Sequence, residues 1–211
     1  MKKRLITILV TAALIVASFA PATFAASKGT KKMTVYNTIK NGNVVYCSDR
    51  LLSGVYKIDL STKGVAKIAS EYGEWMRLHK GYLYYYHYYG YNSKLSRINL
   101  SNNKASTVFK CNGRDIHYAI SKSKIYTSYE SAKNGKTKRK VMKLSGRSKK
   151  SSKTKVRMTE KATNADGYFI KVNYTGGYED GDYYDDLYYS VYFVTPAWNI
   201  LLEKGKSEDV E

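Results

Sequence analysis

Short runs in which apolar and polar residues alternate, separated by clusters of Gly, Asn, Ser and Asp, fill most of this 211-residue chain. Alternation with a period of two places every second side chain on one face of an extended backbone, so the pattern predicts β-strands. The densest run, Tyr82 to Tyr89, is followed by Gly90-Tyr91 and then by Lys94 to Leu100. Two strand-like runs flanking a short turn predict a hairpin. Weaker copies of the hairpin recur on both sides of it.

Four strands are predicted in each of four units. The first unit (35–70) places them at Val35 to Ile39, Asn43 to Ser48, Val55 to Leu60 and Val65 to Ala69; the second (74–110) at Trp75 to Leu78, Tyr82 to Tyr89, Lys94 to Leu100 and Ala105 to Phe109. The third (115–159) uses Ile116 to Ile120, Lys124 to Ser128, Arg139 to Leu144 and Lys155 to Met158. The fourth (162–205) uses Ala162 to Ala165, Tyr168 to Asn173, Leu187 to Val194 and Ile200 to Leu202. The turn glycines Gly42 and Gly81 are 39 residues apart, and Tyr56-Lys-Ile-Asp-Leu-Ser-Thr-Lys matches Ser96-Arg-Ile-Asn-Leu-Ser-Asn-Asn. Two residues beyond the turn glycine, or Ser123 in its place, stand Val44, Leu83, Ile125 and Phe169. A period near 40 with four strands per unit is the signature of a β-propeller blade. The fold expected is therefore all-β, a propeller-like array of about four four-stranded antiparallel blades forming a small ring, an open arc or part of a larger ring; a β-sandwich is the alternative.

The ends of the chain have another character. Lys2-Lys3-Arg4, an apolar run from Leu5 to Ala20 and Thr23-Phe24-Ala25 predict a secretory signal peptide over 1–25. The apolar run is shorter than the roughly 20 residues that span a bilayer, and no later stretch is long enough, so a secreted or cell-wall-associated product with no membrane span is expected. Residues 26–34 are mostly Ser, Gly, Thr and Lys with little to bury and are expected to form a flexible lead-in, and 206–211 an acidic tail.

Charge divides the chain. Residues 26–159 hold 29 Lys and Arg against six Asp and Glu, whereas 160–211 hold four against 11. The basic turns around Lys133 to Lys140 and Gly146 to Lys155 are expected to stay solvated and mobile. A basic body outside a cell suits an anionic cell-wall polymer, an acidic glycan or a protein partner. Tyrosines interleaved with cations also suit nucleic acid, a partner that export disfavours.

The pattern of turn glycine, Tyr-rich strand, loop and Tyr56-Lys-Ile-Asp-Leu or Ser96-Arg-Ile-Asn-Leu resembles the blades of the bacterial DUF5050 family, itself described as similar to the β-propeller of low-density-lipoprotein-receptor-related proteins. The resemblance covers roughly 35–158. The Tyr-Trp-Thr-Asp quartet of the receptor propellers is absent, and four units are visible where such rings usually hold six. The resemblance implies an extracellular binding or scaffold module and brings no catalytic residues.

Twenty-two tyrosines are the strongest compositional signal. Tyr82, Tyr84, Tyr86 and Tyr88 share one face of their strand, and Leu83, Tyr85, His87 and Tyr89 the other. One face is expected to pack between blades. Trp75, Tyr84, Tyr86, Tyr88, Tyr89 and Tyr91 are the candidate aromatic contacts to a ligand, with Lys138, Arg139 and Lys140 supplying charge. The acidic loop offers Asp180, Asp182, Asp185 and Asp186 as hard oxygen ligands for calcium, although its spacing is not that of an EF-hand. Cys47 and Cys111 are the two cysteines, expected either as one disulfide or as separate buried thiols. His79, His87 and His117 share no motif, and no nucleophile elbow accompanies them. A non-catalytic binding module is the expected function, with an extracellular hydrolase of polysaccharide or peptide, or a structural subunit completed by self-association, as alternatives.

Overall fold

The computed structural model describes residues 30–35, 37–50, 52–156, 167–175, 178–179, 182–183 and 187–207. Every regular element among them is a β-strand, and every strand pairing is antiparallel. The first sheet is β2 (Thr38–Asn41), β3 (Val44–Ser48), β4 (Val55–Asp59) and β5 (Val65–Ala69), hydrogen-bonded in chain order. The second begins with β6 (Glu74–His79), β7 (Tyr82–Tyr89) and β8 (Asn92–Asn99). Its last strand is the first half of β9 (Ala105–Ser121), which pairs with β8 from Ala105 to Asn112. From Gly113 onward β9 pairs with β10 (Lys124–Ser131) and opens the third sheet, which continues through β11 (Thr137–Lys143) and β12 (Lys150–Ser151). One strand thus serves two blades, and the ladder runs unbroken through seven strands.

The fourth sheet is not contiguous in sequence. It consists of β13 (Phe169–Thr175), β16 (Leu187–Val194) and β17 (Asn199–Ser207), and its edge beside β13 is taken by β1 (Thr30–Val35), whose Thr30 pairs with Thr175 and Val35 with Ile170. A small hairpin of β14 (Tyr178–Glu179) and β15 (Asp182–Tyr183) interrupts it. The protein is therefore an all-β, propeller-like array of four-stranded units.

Several local expectations are corrected. The lead-in over 26–34 contributes a paired strand from Thr30, because the ladder of β13 offers its backbone N–H and C=O groups partners that outweigh a composition with little to bury. β17 runs to Ser207, two residues into the segment assigned to the acidic tail. The last strand of the third unit is Lys150–Ser151 rather than Lys155 to Met158, and Lys138, Arg139 and Lys140 lie on β11 instead of in a mobile loop. Ala162 to Ala165 and the predicted leader lie outside the described residues.

Three buried clusters stack the sheets. Val45, Cys47, Tyr56 and Ile58 of the first sheet meet Ile170, Val172, Val191 and Phe193 of the fourth. The opposite face of the first sheet, with Tyr46, Val55 and Ile68, meets Met76, Leu83, Tyr85 and Ile98 of the second. The other face of the second, with Tyr84, Tyr86 and Leu95, meets Ile116, Tyr118, Ile125 and Met142 of the third. Burying each such aliphatic side chain is worth roughly 1.5–3 kcal/mol, which explains why a meander apolar on both faces must be copied. None of these clusters joins the third sheet to the fourth, so the packed order is fourth, first, second, third.

The repeat holds at atomic detail between the first two sheets. Asp59 accepts hydrogen bonds from the Ser61 N–H (2.9 Å) and hydroxyl (2.5 Å), and Asn99 accepts the same pair from Ser101 at 3.0 and 2.8 Å. Lys63 and Asn103, in step with each other, both have left-handed φ, at 57° and 55°. The links that carry the chain from one sheet to the next contain Gly73 and Gly113. A Cβ on Gly73 would stand 2.5 Å from a ring carbon of Tyr85, and one on Gly113 would stand 2.1 Å from the carbonyl oxygen of Glu130.

Candidate functional site

The sheets define two ends. At one lie the turn between the second and third strands of each of the first three sheets and the links between sheets, which we call the link end. At the other lie the hairpin turns before the second strand and before the fourth, the hairpin-turn end. The three ion pairs described in the structure all stand at the link end. Arg50 pairs with Glu74 at 2.8 Å, Arg114 with Glu130 at 2.9 Å, and Lys94 with Glu71.

Buried serines brace the same end. Ser48 donates to the carbonyl of Gly54 (2.9 Å) and accepts from the Gly73 N–H (2.7 Å), while Ser93 donates to the carbonyl of Gly113 (2.8 Å). Asn37 donates to the carbonyls of Ser48 and Gly73 at 2.8 and 2.6 Å. Short polar side chains thus satisfy backbone groups that the links would otherwise bury unpaired.

A cleft of about 530 Å³ opens here, and its wall includes Glu71, His87, Asn92, Lys94, Lys110 and Cys111. The ladder places His87, Lys94 and Lys110 side by side, since Lys94 pairs with both others. His87 hydrogen-bonds through Nδ1 to the carbonyl of Tyr72 at 2.9 Å, and its ring lies 4.5 Å from the Tyr72 ring. A cation and a carboxylate already engaged with each other, beside a histidine engaged with backbone, form a polar recess able to accept an anionic or hydrogen-bonding group. A second recess of about 290 Å³ includes His117, Glu130, Thr137, Arg139 and Lys155.

The predicted aromatic contacts separate. Tyr84 and Tyr86 are 0% and 6% exposed between the second and third sheets, so they pack and do not reach a ligand. Trp75 and Tyr88 are half-buried against the same cluster, and the side chain of Tyr89 lies outside the described residues. Tyr91, 58% exposed on the turn at the link end, is the ring the structure leaves accessible. Lys138 is exposed, whereas Arg139 and Lys140 are half-buried along β11 and the Nε of Arg139 is enclosed. The expectation that one tyrosine face packs is exceeded, because both faces of β7 are covered.

The tyrosine hydroxyls explain the excess. Tyr118 donates to the carbonyls of Tyr84 (3.2 Å) and Trp75, Tyr84 donates to the carbonyl of Leu144 (3.4 Å), and Tyr72 donates to that of Tyr88. A ring fills the wedge between two sheets and its hydroxyl ties the neighbouring backbone. Burial pushes the Tyr118 phenol far above its usual value and the Tyr85 phenol up to about 12.

The cysteines are free thiols in different clusters, Cys47 between the first and fourth sheets and Cys111 at the edge of the second–third cluster, the second of the two arrangements expected. Burial pushes the Cys111 thiol up to about 12, and burial with the nearby Asp49 charge pushes Cys47 up strongly. Neither supplies a thiolate at neutral pH. Asp180, Asp185 and Asp186 lie outside the described residues, and Asp182 is placed only by its backbone on β15.

One acidic residue escaped notice in the sequence. Glu203, on β17, accepts hydrogen bonds from the Ser53 N–H (3.0 Å) and the Tyr56 hydroxyl (2.9 Å), clasping the first sheet to the fourth. Burial opposes its charge, but these bonds, the Ser53 hydroxyl and the nearby Lys67 outweigh it and hold the carboxyl below its usual value.

No protein-family model and no curated protein matches the sequence. Among solved structures the chain is similar to a putative TolB from Agrobacterium tumefaciens, with 14% identity and a TM-score of 0.38 over 77% of this chain and 62% of that one. It is also similar to a chain of a nidogen/laminin complex, with 10% identity and a TM-score of 0.39 over 81% and 78%. TolB from Acinetobacter baumannii gives 13% and 0.38 over 81% and 42%. These likenesses bear on neither partner nor activity.

Proposed function

We propose that this protein is an exported, non-catalytic β-repeat module of the DUF5050 kind that binds an anionic cell-envelope polymer or a protein partner. The observation that carries the reading is the charge of its sheets. Residues 30–156 contain 27 Lys and Arg and six Asp and Glu, so pairing every one of those carboxylates would still leave 21 cations uncompensated within that body. A rigid scaffold that holds such an excess at its surface attracts polyanions over about a Debye length, roughly 8 Å at physiological salt. The buried thiols and tyrosines stay protonated at neutral pH, which suits a module that binds without reacting.

The test is sedimentation of the purified mature chain with isolated cell wall. Binding reversed by about half-molar salt, where screening roughly halves the range, with no sugar or peptide released, is the expected result. Turnover of wall material that disappears on replacing one Asp or Glu would overturn the reading.

A further inference from the structure

The hairpin-turn end carries a pattern that the charge excess alone does not explain. Lys63, Lys80 and Lys122 occupy turn positions with left-handed φ of 57°, 47° and 52°. Such a conformation disfavours any residue with a Cβ, and Gly or Asn adopts it at the least cost. The corresponding first turn residue in the first sheet is Gly42, at 60°. At two of three equivalent hairpins the chain places a lysine where glycine would relieve strain, and residues held in such conformations concentrate where function requires them.

The other turns at this end add Lys104, Arg147 and Lys149, all exposed. Hydrogen bonds tie neighbouring turns together within the first and second sheets and join the second sheet to the third. Leu60 N–H donates to Asn43 O (2.8 Å) and Leu100 N–H to Gly81 O (3.0 Å) within their sheets, and His79 Nε2 meets Lys122 O at 2.9 Å between the second and third. Among the described turn residues of the first three sheets, Asp59 is the one carboxylate at this end, and it is committed to capping its own turn through Ser61 and Thr62. Glu71, Glu74 and Glu130 all stand at the link end.

We infer that the hairpin-turn end is the docking surface for a linear phosphodiester polymer without bases, which gives the proposed binding reading a face and a ligand chemistry. Lysine is a compact point charge that binds a tetrahedral oxyanion on a flexible chain, and arginine adds a planar fork that grips carboxylate or phosphate at two points. Here Arg97 is diverted, lying 4.3 Å above the Tyr82 ring and donating to the carbonyl of Leu144 (3.1 Å). The rings near this end are capped by cations instead of being open to bases: Tyr82 by Arg97, Tyr168 by Lys40 at 5.1 Å and Trp198 by Lys63 at 5.9 Å. That leaves charge, and no stacking platform, as the means of recognition.

The experiment compares two variants that remove the same charge from opposite ends. K80N/K104Q/K122N/K149Q strips the hairpin-turn end and puts asparagine, which tolerates left-handed φ, at the two strained positions; K133Q/K136Q/K138Q/K153Q strips exposed lysines near the link end. Binding of poly(glycerol phosphate) is measured against salt, with a polyuronate and single-stranded DNA of equal charge as comparisons. The first variant is expected to keep its melting temperature, lose at least about tenfold in affinity and show a salt slope lower by about two, as counterion release requires for lost phosphate contacts. The second is expected to lose less than about threefold. Equal losses in both variants, or a larger loss in the second, would overturn this surface while leaving wall binding intact. Tighter binding of the polyuronate or the DNA would overturn the ligand chemistry, and a wild-type chain that binds neither polymer nor wall would overturn the underlying reading as well.

Discussion

A phenol is an economical residue for holding two sheets together, because its ring fills a wedge and its hydroxyl reaches backbone across the gap. Tyr118 shows both functions, fully buried and donating to the carbonyls of Tyr84 and Trp75. Trp75 itself sits at a β-bulge with φ of 53°, a rare conformation for a bulky residue, and its carbonyl is held there by Tyr118. Tyr118→Phe keeps the ring and leaves two buried carbonyls short of a donor; chemical denaturation should show a loss of about 1–3 kcal/mol. Alkaline pH tests the same design without mutation. A phenol whose folded pKa lies above the ordinary 10.0 contributes stability that is complete below about pH 10 and lost as pH rises toward 12, the value to which Tyr85 is pushed. Over that window stability should fall by about 1.4 kcal/mol per pH unit for each fully buried tyrosine, tracked by melting temperature alongside tyrosinate absorbance. A midpoint insensitive to pH in this range would contradict it.

At the scale of elements, the decisive joint is Gly113, where β9 leaves the second sheet and enters the third. A Cβ there meets backbone, the carbonyl oxygen of Glu130 at 2.1 Å, which cannot rotate away. Gly113→Ala should cost about 1–3 kcal/mol, and hydrogen exchange should show the Arg114–Glu130 pairing opening before the β6–β7 ladder. Much of this level was legible in the sequence. The strands β3, β4, β5, β7 and β16 stand where alternation placed them, and Gly42 and Gly81 both mark hairpin turns, although Gly42 is the first residue of its turn and Gly81 the second. The 40-residue step from Gly73 to Gly113 was the better marker and passed unread, because its cause is a close approach to a neighbouring strand that no local pattern contains. β1 was missed for a related reason: Thr30–Val35 is defined by a partner far along the chain. The site was less legible. Alternation assigned Tyr84 and Tyr86 to a shared face, but exposure of a face depends on whether a third sheet covers it, and that is a tertiary fact.

For the molecule as a whole, two features set behaviour: cations spread over both ends with carboxylates confined mostly to one, and a fourth sheet assembled from both termini. Removing residues 1–35 takes away β1 and exposes the edge of β13, an unpaired strand edge that invites association. Sheet four should then lose protection at Phe169–Thr175, and the Val45–Phe193 cluster should weaken, whereas the cluster around Tyr118 should persist. Exchange mass spectrometry distinguishes this from uniform loss, which would mean that the array unfolds as one unit. The free thiols Cys47 and Cys111 give a matching chemical readout, since Cys47 lies in the weakened cluster and Cys111 borders the persistent one.

The same seam has a temporal meaning. A ribosome delivers Thr30–Val35 early, yet the strand to which it hydrogen-bonds is made only after three intervening sheets have emerged. Until then the first sheet lacks one of its two neighbours and the leading strand is without its partner. Completion of synthesis, more than any single folding step, is what seats the leading strand beside β13 and gives the first sheet its second neighbour.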